Sequence, residues 1–313
     1  MAAIAGILLA SPSITAQESR AAEIPVAKSL TTPLKAAKVF SEWPFDAAEA
    51  ARRQKETAAT LGLPPEVQLT LSSNQSMVFA LIPAGEFMMG SPDKEPLRGN
   101  TEFQHRVRIT KAFYLGKTVL TQAQWNSLMD VNPSLFKNKP DSPTRPVEHT
   151  SFDKIVNEFL PKLQSSAPKG WTVRLPTEAE WEYACRAGTA TAYFFGDTIS
   201  QAQANYDGTR QNEGGTETAK RYETTAVGSY PANAWGLFDM SGNVFQWCQD
   251  WYRDFYRKCP TDDPLNGAPG QMRVLRGGCW IHGPKYCRSA SRYFAPPEYL
   301  AGSIGSRFVL ACP

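Results

Sequence analysis

The stretch Arg174-Leu-Pro-Thr-Glu-Ala-Glu-Trp-Glu-Tyr-Ala-Cys-Arg-Ala-Gly188 carries the clearest structural signal in the chain. Thr177 and Glu180 have the spacing of a capping box, in which the hydroxyl accepts the third helical N–H and the carboxylate accepts the N–H of the cap residue. The pattern therefore predicts a helix that begins after Thr177, continues to Arg186 and stops at Gly188. We expect Trp181 on this helix to be part of the core.

Working outward from this helix, strands and helices alternate without the regular βαβ pattern of a parallel sheet. Predicted strands cover Met77–Pro83, His105–Ile109 and Ala112–Val119. A second capping box at Thr121 and Gln124 predicts a helix through Asp130. Ser151 is expected to cap a further helix that ends near Leu163. Residues 188–235 are rich in Gly, Asn and Thr and predict a long irregular region. Loops of that length inside a compact domain are usually functional or held by ions.

Composition narrows the class of protein. The chain has 313 residues, 42% of them apolar, with a formal net charge of +3. This is a globular composition, long enough for one large domain or two small ones. The small net charge gives no basis for a nucleic-acid partner, and no apolar run of 18 residues predicts a membrane span.

The N-terminal region is interpreted as separate from the main domain. Residues 1–21 contain an apolar run followed by small residues, as in a secretory signal, although the basic lead-in is missing. Residues 22–66 are interpreted as a linker that contains a short exposed helix at Asp46–Leu61, and the domain is expected to occupy residues 67–313. This arrangement predicts a secreted or periplasmic protein. Six cysteines suit an exported protein with one or two disulfides, but no CxxC motif supports a zinc ribbon.

Five segments together resemble the formylglycine-generating enzyme, or sulfatase-modifying factor, family. They are Ile82–Ser91, Arg174–Gly188, Asn233–Trp247, Arg273–Gly278 and Cys287–Arg292, in order and with plausible spacing. The resemblance implies an α+β fold that is irregular, loop-rich and related to C-type lectins, with bound calcium. Family membership does not by itself decide function. The family includes copper-dependent oxidases of sulfatase cysteines, iron-dependent sulfoxide synthases and diversified ligand-binding proteins. Because this sequence has only three histidines and no iron motif, we do not expect it to belong to the iron-dependent branch.

In the oxidases of this family, two cysteines five positions apart hold Cu(I), a soft ion that suits soft sulfur ligands. The matching segment here places Cys287 at the second position and His282 at the first, while Cys279 replaces a small hydroxyl residue. One interpretation is a modified copper or zinc site formed by Cys279, His282 and Cys287. The alternative is a buried, inert Cys287 with His282 in a surface loop and no metal.

The resemblance also implies a calcium site and a disulfide. Asp239 and Gln246 would give side-chain oxygens and Gly242 and Val244 backbone carbonyls, although the family usually has Glu at the position of Gln246. The alternative is a tight turn in which Asn243 and Gln246 bond the backbone. A second family site, near Asn205 and Tyr206, lacks evident carboxylates. The implied disulfide would join Cys185 to Cys312; the alternative is two separate thiols.

Two functions remain open at this stage. In the first, the protein binds a peptide, protein or glycan through the 279–299 surface, with contacts from Trp280, Tyr286, Arg292, Tyr293 and Phe294. Arg292, like Arg276, Arg288 and Arg307, is otherwise expected to bond loop carbonyls. In the second, the protein is a metal-dependent oxidase acting on cysteine in a substrate protein. The resemblance makes a sulfatase-like protein one partner to consider in either case, and nothing in the sequence predicts the oligomeric state.

Overall fold

The computed structural model describes residues 24–27, 30, 36–72, 74–216, 220–254 and 261–312. The signal segment predicted at residues 1–21 lies outside these residues. Within them, the structure is a mixture of short helices and strands joined by long irregular segments. The helices are α1 (Ala47–Leu61), α2 (Gln122–Asn126), α3 (Phe152–Lys154), α4 (Leu160–Gln164) and α5 (Glu178–Arg186). The strands are β1 (Glu66–Thr70), β2 (Ser76–Ile82), β3 (Gly85–Met89), β4 (His105–Ile109), β5 (Phe113–Gly116), β6 (Thr172–Arg174), β7 (Phe245–Trp251), β8 (Arg273–Arg276), β9 (Tyr293–Ala295), β10 (Ile304–Gly305) and β11 (Val309–Ala311).

Three sheets organise the described part of the chain. An antiparallel sheet has the strand order β1-β2-β5-β11-β6, a second has the order β10-β7-β8-β9, and β3 pairs with β4. Along β2, Phe79 and Leu81 pack into one apolar cluster, whereas Ala80 and Ile82 pack into another. Because successive strand side chains point to opposite faces, this alternation means that the first sheet is covered on both sides.

The capping box that marks α5 forms as the sequence predicts. Thr177 accepts the N–H of Glu180, and the Glu180 carboxylate accepts the N–H of Thr177. All nine residues of α5 are buried. The capping box at Thr121 also forms, but α2 ends at Asn126 rather than near Asp130. There the indole N–H of Trp125 donates to the Val131 carbonyl at 2.8 Å, which turns the chain back early.

The helix predicted from Ser151 contains an irregularity that the pattern did not indicate. Its middle, Ile155–Phe159, is a π-helical turn between α3 and α4. Pro161 lies in the first turn of α4 and has no N–H to donate to the preceding turn. A single wide turn upstream of a proline accommodates the missing hydrogen bond and keeps Ile155 and Phe159 in the core.

The described residues of the segment interpreted as a linker instead pack on the domain. Ala27 is fully buried, and the N–H of Gln68 donates to the Pro25 carbonyl at 2.8 Å. Helix α1, with Asp46 as its cap, has a buried face that includes Arg53, whose guanidinium lies over the rings of Phe40 and Phe45. The helix is therefore less exposed than its composition predicted, because a charged side chain can bury its plane against aromatic rings.

Candidate functional site

The candidate site is built on the loop that leaves β8. Gly277 and Gly278 have φ angles of 98° and 74°, the left-handed region that favours glycine. A Cβ atom on Gly278 would lie 2.7 Å from the sulfur of Cys287, so no other residue fits there without a shift. The two glycines let the chain turn sharply and hold residues 279–287 against the core.

Cys279 and His282 are brought into direct contact by this turn. The sulfur of Cys279 lies 3.2 Å from Nδ1 of His282, and the cysteine is fully buried. Burial raises the pKa of the Cys279 thiol to about 12, although the N–H groups of Ile281 and His282 and the hydroxyl of Ser303 act in the opposite direction. Burial also lowers the pKa of His282. At neutral pH the pair is therefore a neutral thiol beside a neutral imidazole.

Cys287 occupies a different environment from this pair. It packs in a small apolar cluster with Ala192, Tyr193, Ala204 and Tyr206, and burial raises its pKa well above the usual value. Among the described residues, no group of three or more His, Cys, Asp or Glu side chains is placed to hold a metal ion. The described structure thus brings Cys279 and His282 into direct contact, whereas the three-ligand copper or zinc site with Cys287 stays a prediction.

Around His282, three aromatic rings pack against one another. Phe245 and Tyr293 are stacked with centroids 4.8 Å apart, and Tyr286 meets Tyr293 edge to face at 5.6 Å. The imidazole of His282 lies 4.8 Å from the ring of Tyr286 and 5.4 Å from that of Phe245. Such offset and edge-on contacts are the favourable ones for aromatic pairs, so each ring of this cluster is packed against its neighbours.

The aromatic surface continues outward from this cluster. Phe294, 43% exposed, stacks on Tyr293 at 6.0 Å and contacts Tyr252 at 4.3 Å. Trp280 is half-buried, donates its indole N–H to the Gly302 carbonyl at 2.9 Å and meets Phe136 edge to face. We call Trp280, Tyr286, Tyr293 and Phe294 the aromatic surface; its rings extend from the core to solvent.

Arg292 does not belong to this surface. Its guanidinium binds both carboxylate oxygens of Glu178, at 2.6 and 2.9 Å, and its side chain is only 4% exposed. A bidentate pair of this kind occupies the donors that a ligand would need. Arg276, Arg288 and Arg307 are likewise buried and bonded to carboxylates or carbonyls, so these arginines are structural.

The predicted calcium ligands are arranged as a hydrogen-bonded turn. The amide oxygen of Gln246 accepts the indole N–H of Trp181 at 2.8 Å and Nε of Arg307 at 2.9 Å, and its amide nitrogen donates to the Asp239 carbonyl. Gly242 donates its N–H to the Gly277 carbonyl, and Val244 is fully buried. Gln246 therefore does not fit the role of a calcium ligand here, since its oxygen is occupied and a guanidinium lies beside it.

The disulfide implied between Cys185 and Cys312 is absent. All five described cysteines are free thiols. Cys185 is buried on α5, where its sulfur lies 3.6 Å from the Ser289 hydroxyl and 3.8 Å from the Met240 carbonyl. Cys312 instead lines a surface cavity beside Lys111, at the end of β11. The buried helix α5 and the end of β11 hold the two sulfurs in separate surroundings.

Several residues of the site gave no signal in the sequence. Phe136 and Phe245 come from segments far from residue 280, and Tyr252 follows β7. Only the tertiary fold brings these rings to the loop after β8. The alternating pattern of β7 could have indicated that Phe245 faces the core, but not which ring it would meet.

The structure is an irregular α+β domain in which the turn at Gly277 and Gly278 positions the aromatic surface. Sequence comparison identifies the protein family to which this domain belongs. Residues 65–312 match the model of the sulfatase-modifying factor enzyme 1-like domain. The chain therefore belongs to the sulfatase-modifying factor family. No described helix has the length and apolar character required to cross a membrane.

Individual relatives show how far the likeness extends. The chain is 36% identical over 174 residues to a formylglycine-generating enzyme of Streptomyces coelicolor, covering 53% of this chain and 52% of the relative. It is 41% identical over 143 residues to the serine/threonine-protein kinase pkn1 of Chlamydia caviae, covering 44% of this chain and 20% of that protein. The match thus spans about half or less of these relatives.

Solved structures give the same fold. Treponema denticola variable protein 1 superposes with a TM-score of 0.67 at 25% identity, over 80% of this chain and all of that one. PvdO from Pseudomonas aeruginosa superposes with a TM-score of 0.65 at 26% identity, over 79% of this chain and 98% of that one. The expected fold class, an α+β domain of the formylglycine-generating type, is confirmed.

Proposed function

We propose that this protein is an exported, divergent member of its family that binds a peptide, protein or glycan through the aromatic surface. The observation that carries the proposal is the row of rings that leads from buried Phe245 through Tyr293 to exposed Phe294. Rigid aromatic side chains offer large contact area at a small entropic cost, and they are enriched in binding interfaces. A sulfatase-like protein is one such partner, by analogy with the family.

The oxidase alternative has less support. It requires a metal held by Cys279, His282 and Cys287, whereas the described residues offer only the Cys279–His282 pair. Burial holds both thiols in the protonated form, so a metal ion bound there would have to displace their protons. The binding function uses the residues in the state and geometry that the structure describes.

A displayed random peptide library and a glycan array, each presented to the purified full chain, test the proposal. We expect ligands from one of them to lose tenfold or more in affinity when Phe294→Ala removes the outer ring, because a central aromatic contact contributes on the order of 1 kcal/mol or more. Tyr222→Ala is the matched control, since Tyr222 is 72% exposed and is not part of the aromatic surface. No enriched ligand, or equal effects of the two variants, would reject the proposal.

A further inference from the structure

A small cavity lies beside the aromatic surface. It has a volume of about 180 Å³, and its apolar lining comes from Leu97, Ala192, Tyr193, Ile199 and Pro284. An apolar cavity of roughly 150 Å³ is large enough to hold benzene, whereas sites for whole small molecules are usually about 300–1,000 Å³. The cavity is therefore the size of one apolar side chain.

The walls of the cavity are held in place by the fold. Ala192 and Tyr193 belong to the apolar cluster around Cys287, and the Tyr193 hydroxyl donates to the Pro284 carbonyl at 3.1 Å. A preformed cavity costs little ordering entropy when a side chain enters it.

The charges around the cavity favour a cationic residue next to the apolar side chain that enters it. Buried Arg288 is compensated by Glu95 at 2.6 Å and Glu102 at 2.7 Å. Among the described residues of the lining, the exposed carboxylate of Asp197 is then the charge that faces a ligand. A cationic residue next to the inserted apolar one would complement it.

The cavity and the aromatic surface share one turn of the chain. Pro284 lines the cavity, and Tyr286, two residues later in the same 3₁₀ turn, packs in the aromatic cluster. An extended peptide covers about 3.3 Å per residue, so a few of its residues reach from the cavity to the aromatic surface. Thr198 and Thr216 line part of the cavity, but a sugar that filled it would also press hydroxyl groups against Leu97, Ala192 and Ile199, whose side chains cannot bond them, at a cost in desolvation.

We infer that the cavity is an anchor pocket for a peptide or partner-protein segment, and that it receives one leucine- or phenylalanine-sized side chain followed or preceded by a basic residue. The inference rests on the proposed function and makes it narrower, because it selects peptide over glycan. It assigns recognition to residues 96–97, 192–193 and 197–199, which the 279–299 surface does not include.

The pocket is tested directly with N-acetyl-leucine methylamide, observed through the methyl signal of Ile199 in isotope-labelled full-length protein. We expect a saturable shift of this signal that Thr198→Trp abolishes, because Thr198 is exposed and a tryptophan there covers the opening. Thr70→Trp, the same change at the exposed end of β1, should leave the shift intact. If the Ile199 signal does not respond, or responds equally in both variants, the anchor pocket is rejected.

Peptides selected on the aromatic surface give the second readout. Replacing their apolar anchor by alanine should weaken binding tenfold or more, and Thr198→Trp should produce a loss of the same size. Peptides that depend on Phe294 but not on Thr198 or on any apolar position would overturn the pocket and leave the proposed function standing. A failure of Phe294→Ala to weaken any ligand would instead reject the proposed function, whatever the pocket does.

Discussion

The imidazole of His282 covers the thiol of Cys279: its Nδ1 lies 3.2 Å from the sulfur, and its ring packs between Phe245 and Tyr286. The contact joins a nucleophilic atom to an aromatic cluster and leaves that atom no exposed area. A buried thiol with a raised pKa is a weak nucleophile, since the thiolate is the reactive form. A cysteine in this arrangement is therefore expected to react slowly.

Removing the imidazole should uncover the sulfur. We expect His282→Ala to raise the rate at which iodoacetamide labels Cys279 in the folded protein, because the ring that covers the sulfur is lost. Mass spectrometry of the labelled peptide gives the rate. His105→Ala, on β4, should leave Cys279 as slow as in the unmodified chain. Equal labelling in all three proteins would show that His282 is not the cover.

The free thiols should differ in reactivity according to burial. In a Cys259→Ser background, which leaves only the described cysteines, we expect one fast reaction with Ellman's reagent per folded chain. That reaction belongs to Cys312, which is partly exposed, whereas burial raises the pKa of Cys185 to about 11. Cys312→Ser should abolish the fast phase. Non-reducing peptide mapping that finds Cys185 joined to Cys312 would contradict this result.

Glu182 stabilises the fold through a buried network. Its carboxylate binds Arg276 and Arg186 and accepts the N–H of Gly90 at 2.8 Å, and each of the three side chains is at most 2% exposed. Glu182→Gln should lower the free energy of unfolding by about 3–5 kcal/mol, because it removes the carboxylate that pairs with buried Arg186 and leaves buried Arg276 with only Glu178, at 3.6 Å. Urea unfolding measures the loss.

The matched control for this network is a surface pair. Glu158→Gln removes an ion pair with Lys154 in which both side chains are exposed, and it should cost about 0.5 kcal/mol or less. Similar losses in the two variants would mean that the buried network contributes no more than a surface contact.

Asp250 should make stability depend on pH. Burial raises its pKa to about 7, with a further contribution from Glu178, although it accepts the N–H groups of Glu178 at 2.7 Å and Asn266 at 2.9 Å. Between pH 4 and pH 7 the unfolded carboxyl ionises while the folded one stays neutral, so unfolding becomes more favourable as pH rises. At about 1.4 kcal/mol per pKa unit, the loss is about 4 kcal/mol at most.

Comparison with Asp250→Asn isolates this group. The variant loses one backbone hydrogen bond at every pH, but it should lack the decline between pH 4 and pH 7. Urea unfolding of both proteins across this range measures the difference. Parallel stability curves would show that Asp250 ionises freely in the folded protein.

Calcium should not stabilise the segment from Asp239 to Gln246. A ligand that binds only the folded state raises the unfolding temperature, but binding here would have to displace the bonds from Trp181 and Arg307 to Gln246. We expect the unfolding midpoint to be the same in EDTA and in millimolar Ca²⁺. A reproducible rise with Ca²⁺, lost in Asp239→Asn, would show that the ion can compete with these bonds.

Local signals in the sequence were enough for individual elements. The caps at Thr121 and Thr177 depend on residues three positions apart, and the alternation in His105–Ile109 reports one buried face, so both were predicted correctly. The bidentate bond between Arg292 and Glu178 joins residues 114 positions apart, and no local pattern contains it. No local pattern contains the stacking of Phe245 on Tyr293 either, although this contact decides the geometry of the candidate site.

The packed segment before the family domain has a practical consequence for laboratory versions of this protein. A truncation that begins where the family match begins, at residue 65, would discard Ala27, Arg53 and the rest of α1. It would also uncover the edge of β1 that Pro25 now bonds, and a bare strand edge invites aggregation. Shortened versions should therefore retain the chain from residue 24 onward.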